Sequence, residues 1–285
     1  MTARDSGALE LFLPEPLPDR PIVIGTSGYS FPDWIGPFYP PGIRASEQLG
    51  FYARHFSAVE VNATYYRPPD TKMMQQMERK TPEGFRFVVK LHRSMTHEGA
   101  REPALYRDFI AAMRPLKDAG KFDGLLAQFP WAFHNDEESR AHLAAMRERL
   151  EGETLFAEFR HDSWAAPDLE SMLRGQRIGF CAVDEPRLKG LMPPIVLRTA
   201  EDAYVRFHGR NAGAWWGRSG TDDRQLLRYD YSYRADELAE WTAKVAALAE
   251  QARRTYLFFN NCHAGQAARS AKLMQELLRQ QNLPA

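Results

Sequence analysis

Eight short apolar runs recur along the chain, most of them ending in a charged or amide side chain. They are Ile22–Gly25, Ala58–Asn62, Phe85–His92, Gly124–Gln128, Leu155–Arg160, Ile178–Asp184, Tyr204–His208 and Tyr256–Asn260. Stretches with helical spacing of apolar residues separate most of these runs. Repeated strand–helix units specify a parallel sheet, because parallel neighbours need a crossover and a helix supplies it. Eight units in 285 residues predict an α/β fold: a single closed (β/α)8 barrel of the TIM type. Such barrels carry their active sites at the C-terminal ends of the strands, which is where this chain collects its polar groups.

Helical stripes run through Leu49, Tyr52 and Phe56, with Ser46 as the expected N-cap, and through Leu143, Met146 and Leu150, with Asp136 near the cap. Two more follow Leu238, Trp241, Val245 and Leu248, and Ala267, Ala271, Met274 and Leu278. These faces are expected to pack on the barrel. The sixth unit is irregular, because Pro186, Pro193 and Pro194 interrupt residues 185–202; an extra extended segment is expected there at Ile195–Arg198. Residues 1–20, with Pro14, Pro16 and Pro18, read as an extended tail ahead of one barrel domain at residues 21–285.

Lys plus Arg and Asp plus Glu number 37 each, so zero net charge gives no global footprint for nucleic acid or acidic membranes. Two cysteines, Cys181 and Cys262, are too few for a disulfide scaffold and fit a reducing compartment. No apolar run approaches the length of a membrane span, and the N-terminus has no signal-peptide core. The expectation is a soluble, cytoplasmic protein.

Side chains alternate along a strand, so residues two apart share a face. Tyr204, Arg206 and His208 therefore lie on one side of their strand, and Val205 and Phe207 on the other. The apolar side must meet the helices, which turns the charged side into the barrel. The same parity brings Glu60, Asn62, Lys90, His92, Gln128, Glu158, Arg160, Asp184 and Asn260 to the mouth. Charges inside a barrel are costly unless paired, so this concentration predicts a functional mouth. Three acids and three bases are also what a self-neutralising structural network requires.

His208, Glu158, Asp184, Lys90 and Glu60 are the candidate proton-transfer groups, with His92 a further histidine that titrates near neutrality. Arg160, Arg206 and Arg210 suit a carboxylate or phosphate, Asn62 and Asn260 would orient it, and Trp216 or Tyr229 would stack on a base or sugar. Trp215, Tyr231 and Tyr233 are ambiguous in the same way, Cys262 is expected to be an inert thiol, and Thr26-Ser27-Gly28 offers backbone N–H groups to an anion. No metal or dinucleotide motif is present, the cofactor is open, and a divalent metal is the less favoured option beside three cations. The reading that emerges is an enzyme for an anionic, phosphate-bearing substrate, with phosphoester hydrolysis on nucleic acid as one form. The alternatives are a metal-free sugar isomerase, epimerase or lyase, and a non-catalytic binding protein for an anionic ligand or nucleic acid.

Several segments also carry a family likeness. They are Ile24-Gly25-Thr26-Ser27-Gly28-Tyr29 with Trp34, Phe38 and Tyr39; Val59-Glu60-Val61-Asn62 with Thr64-Tyr65-Tyr66; Phe87 and Lys90; and Glu158-Phe159-Arg160-His161 with Ser163-Trp164. Tyr204 to Arg210, Tyr229-Asp230-Tyr231 with Tyr233, and Phe259-Asn260-Asn261 complete the set. Over roughly residues 22–280 the chain resembles the domain of unknown function 72 family, or YecE-like proteins. The resemblance implies a TIM-type barrel and no settled reaction. It departs at Cys262, where similar sequences often place a histidine directly after the two asparagines; here His263 comes one later.

Overall fold

The computed structural model describes residues 22–216 and 227–283. Its strands are β1 (Ile22–Ser27), β2 (Ala58–Val61), β3 (Arg86–Lys90), β4 (Phe122–Gln128), β5 (Leu155–Glu158), β6 (Gly179–Asp184), β7 (Ala203–Phe207) and β8 (Thr255–Phe259). Each pairs in parallel with its sequence neighbour, and β8 returns to β1, closing the barrel. The fold is the expected α/β TIM-type barrel. Asn62, His92, Arg160, His208 and Asn260 fall one or two residues beyond the strands that present them.

Two apolar clusters explain why the ring closes. The larger lies between strands and helices and takes in the stripes at Leu143 and Met146, Leu238 to Leu248 and Ala267 to Leu278. The smaller fills the barrel itself with Val23, Ala58, Val88, Leu126, Phe156, Cys181, Tyr204, Tyr256 and Phe258. Asp136 caps the helix Glu137–Arg149 as expected, accepting from the Ser139 N–H at 2.8 Å. Ser46 does not cap its helix. The helix Ala45–Tyr52 starts after Arg44, whose N–H donates to the Glu47 carboxylate at 3.0 Å, and this leaves Ser46 in the first turn.

Between β6 and β7 no helix forms, as the prolines predict. The extended segment expected at Ile195–Arg198 joins no sheet; the one pairing in this stretch is an isolated antiparallel bridge between Leu191 and His161. The proline-rich tail at residues 1–20 lies outside the described residues. No helix among the described residues is long and apolar enough to cross a membrane.

Gly25 sets how closely β1 and β2 approach, because a Cβ there would lie 2.1 Å from the Ala58 carbonyl oxygen. Gly25→Ala is expected to destabilise the protein by about 3 kcal/mol through forced separation of the two strands. Urea unfolding measures it, and an unchanged midpoint would show that the strands accommodate the methyl group.

Candidate functional site

The charged layer follows directly from strand parity. Ala58, Phe156 and Tyr204 point into the apolar plug, so Glu60, Glu158 and Arg206, two residues on, point into the barrel one step nearer its C-terminal end. All three are buried. Arg206 bridges the acids: Nη2 donates to Glu60 Oε1 at 2.7 Å and Nη1 to Glu158 Oε2 at 2.5 Å. The Tyr204 hydroxyl donates to the other Glu60 oxygen at 2.6 Å, and Ser27 Oγ lies 3.3 Å from Arg206 Nη2.

Glu158 is the hub. Its Oε1 lies 2.5 Å from Arg160 Nε and 3.2 Å from His208 Nε2. Burial would raise this carboxyl, but Arg160, Arg206 and His208 together hold it well below the usual carboxylate range. Burial and then the Arg160 charge push His208 down to about 3, against the pull of Glu158. Asn260 supports that neutral ring: its amide donates to Nδ1 at 3.0 Å, which leaves the ring proton on Nε2 facing Glu158.

Arg160 continues outward and donates to Glu185 Oε2 at 3.1 Å. Burial raises the Glu185 carboxyl to about 8 in spite of Arg160, and its Oε1 is buried without a hydrogen-bond partner. Lys90 is half-buried and donates to Gln128 Oε1 at 2.8 Å, with its Nζ 4.3 Å from the centre of the Tyr65 ring. Burial, then the Arg206 charge, lowers its amine to about 7 although Glu60 and Glu158 pull the other way. Asn62 presents a buried carbonyl oxygen with no hydrogen-bond partner.

Aromatic rings approach from the loops after β7. Tyr229 lies 6.1 Å from the His208 ring and 6.4 Å from that of Trp215. Trp215, 2% exposed, has the Arg160 guanidinium 5.9 Å and the Arg228 guanidinium 5.4 Å from its ring centre. Trp216, 50% exposed, stands outside this layer and packs edge-on against Trp131 at 5.6 Å.

Several expected placements change. Asp184 does not face the barrel. Cys181 points inward, so Asp184, three residues on, points toward the helices, and Glu185 takes the inward position. Asp184 instead accepts from Trp241 Nε1 at 2.5 Å, the Tyr233 hydroxyl at 2.7 Å and Arg210 Nη2 at 2.7 Å. Arg210 is shared between Asp184 and Glu240, and Arg206 between Glu60 and Glu158, so both guanidiniums are already neutralised by the protein. The Thr26 and Gly28 N–H groups are spent on the Tyr52 hydroxyl and the Glu60 carbonyl. His92 bonds locally to Ser94, and His263 stands exposed between Asp33 and Asp230. Burial pushes the Cys262 thiol up, consistent with an unreactive sulfur. Among the described residues no three His, Cys, Asp or Glu side chains converge in a metal-binding arrangement. Glu185 is the residue that sequence reasoning missed; counting parity from Cys181 would have found it.

The two buried anchors have measurable consequences. Asp184→Asn is expected to destabilise the protein by about 3 kcal/mol in urea unfolding, because Arg210 loses its buried counter-charge; wild-type stability would sink the anchoring role. The unfolded chain protonates His208 near 6.5 and the folded protein only near 3. Its contribution is therefore full above pH 6.5 and is lost as pH falls toward 3. Wild type should lose about 2 kcal/mol relative to His208→Gln between pH 7 and 5; parallel pH profiles would refute the buried neutral imidazole.

The model for "Protein of unknown function DUF72" matches residues 23–285. The UPF0759 protein YunF of Bacillus subtilis is 30% identical over 269 residues, covering 90% of this chain and 94% of that protein. The UPF0759 protein YecE of Escherichia coli K12 is 25% identical over 282 residues, covering 90% and 93%. A crystal structure of a DUF72 family protein from Thermotoga maritima superposes with a TM-score of 0.82 at 38% identity, covering 90% of this chain and 99% of that one. One from Enterococcus faecalis gives 0.81 at 27%, covering 90% and 95%. With its closed barrel and a family match spanning nearly all of its length, the chain belongs to the DUF72 family.

Proposed function

We propose that the C-terminal mouth of the barrel is the active site of an acid–base enzyme for an anionic, phosphate-bearing substrate. The observation that carries this reading is the uneven pairing of its cations. Arg160, Arg206 and Arg210 are each matched to protein carboxylates. Lys90 bonds a neutral amide, and Arg228 lies over Trp215 with its Nε unpartnered; neither has a carboxylate partner among the described residues. The anion is thus assigned to Arg228 rather than to the three arginines, and Lys90, an amine with no carboxylate holding its proton, is left free for proton transfer. Asn62 supplies a free acceptor for a substrate hydroxyl, and Trp215, Tyr229 and the outer Trp216 offer ring surface to the rest of the molecule.

The acid and the base are set by burial. An amine lowered to about 7 serves as a base near neutrality, and a carboxyl raised to about 8 still carries a proton to give. Lys90 takes the base role and Glu185 the acid role. Glu158 and His208 hold Arg160, and through it Glu185, in place. Isomerisation, epimerisation and elimination use such a pair directly. Phosphoester hydrolysis needs the same pair plus an activated water.

The test is a panel of sugar phosphates and phosphodiesters, read both by solvent deuterium incorporation at carbon and by phosphate release. Turnover is expected to peak between pH 7 and 8, since Lys90 is deprotonated above about 7 and Glu185 protonated below about 8. Lys90→Met and Glu185→Gln should each lose about a hundredfold or more in turnover. Full turnover in Lys90→Met would overturn the assignment, and phosphate release without carbon exchange would select hydrolysis.

A further inference from the structure

A second cluster of arginines gathers at the opposite end of the barrel. A cleft of about 610 Å³ opens there, bounded by Leu155 at the start of β5, Arg177 just before β6 and Asp202 just before β7. That volume lies in the range of small-molecule sites. Arg147, Arg174, Arg177 and Arg198 all line it. This face of a TIM barrel ordinarily serves stability.

Few of these guanidiniums have a carboxylate within ion-pair distance among the described residues. Arg174 pairs with Glu170. Arg147 donates only to the backbone carbonyls of Leu150 and Glu153, and Arg198 to that of Ala200 at 3.3 Å while its Nε is buried without a partner. Arg177 has no carboxylate within ion-pair distance among the described residues. Burial and then the charge of Arg177 lower the proton affinity of Arg147, with Glu153 and Glu151 pulling the other way, so Arg147 and Arg177 repel one another across the cleft. Four acids also line it, but two are engaged elsewhere: Glu153 by Lys117, and Asp202 by Arg253 at 2.6 Å. The other two, Glu151 and Glu201, are exposed.

Arg177 adds a second, independent sign. It follows the helix Leu169–Gly175 and its cap Gln176 with φ of 54°, the left-handed conformation in which glycine ends a helix without strain. The fold would be satisfied by glycine here, yet the position holds a guanidinium that lines the cleft.

We propose that this cleft binds a small phosphorylated molecule through Arg147, Arg177 and Arg198, at a site separate from the mouth. Guanidinium groups meet phosphoryl oxygens through paired N–H donors, and a bound phosphate relieves the repulsion between Arg147 and Arg177. The two exposed acids weigh against a long polyanion such as nucleic acid, which would have to run past them; a compact phosphate avoids this.

The probe is inorganic pyrophosphate, titrated calorimetrically with ionic strength held constant by sodium chloride. Wild type is expected to bind it. Arg177→Gly should keep or raise the melting temperature, since glycine suits the backbone, yet weaken pyrophosphate at least tenfold. Arg198→Met should weaken it as well, and Lys90→Met, altered only at the mouth, should keep the binding event that Arg177→Gly weakens at wild-type affinity. No binding beyond the chloride control, or equal affinity in Arg177→Gly, overturns the proposal. Loss of that binding event in Lys90→Met also overturns it, by moving the phosphate to the mouth.

Discussion

A guanidinium sits at the centre of this barrel, and the rest of the upper structure is arranged around its charge. Arg206 is 1% exposed and cannot shed its proton, so the interior must answer it with anions. Glu60 and Glu158 do so from strands on either side of the ring. Burying these ions costs several kcal/mol each, and their attraction repays that only if the geometry is complete. Tyr204 from the apolar plug and Ser27 from β1 complete it below. Above, Glu158 passes the demand on to Arg160 and His208, and Arg160 to Glu185. An apolar core of equal volume would be about as stable, so stability alone does not account for the layer. What it provides is a fixed electrostatic floor for the mouth.

Parity along the strands made much of this legible. Once Val205 and Phe207 are assigned to the helices, Arg206 has to face inward, and Glu60 and Glu158 follow by the same count. At β6 the chemistry of Asp184 misleads, whereas the count from Cys181 turns it outward and brings Glu185 inward. Which acid answers which base was not legible at all. Arg206 and Glu60 are 146 residues apart, and only closure of the ring brings them together. The three arginines read as free anion binders because a sequence does not show that the protein has already neutralised them. Ser46 failed for a local reason of the same kind, since Glu47 competed for the helix start.

The missing sixth helix and the outward Asp184 belong together. Without a helix after β6, the helix Ala235–Ala249 covers the gap: its Trp241 donates to Asp184, and its Lys244 donates to the Pro194 carbonyl of the irregular segment. Asp184 thereby ties the end of β6 to an element that follows β7. The irregular segment in turn reaches the rim, where the Gly190 carbonyl accepts from Trp131 and Leu191 bridges His161. The prolines that forbid a helix thus free this stretch to hold rim aromatics in position.

The proton inventory of the mouth follows from one cause. Guanidinium charge is fixed at any accessible pH, so whatever can titrate near it inside a low-dielectric layer is the part that moves. Burial drives His208 and Lys90 down and Glu185 up, and the arginines push further on both bases. The outcome is a carboxylic acid and an amine that hold neutral forms over overlapping pH, a pairing that an exposed Glu and Lys never reach. His208 has been moved too far to exchange protons near neutrality, which leaves it as a neutral donor to Glu158. Lys90 and Glu185 stop within reach of pH 7, and for that reason the chemistry of this barrel is assigned to them rather than to its histidine.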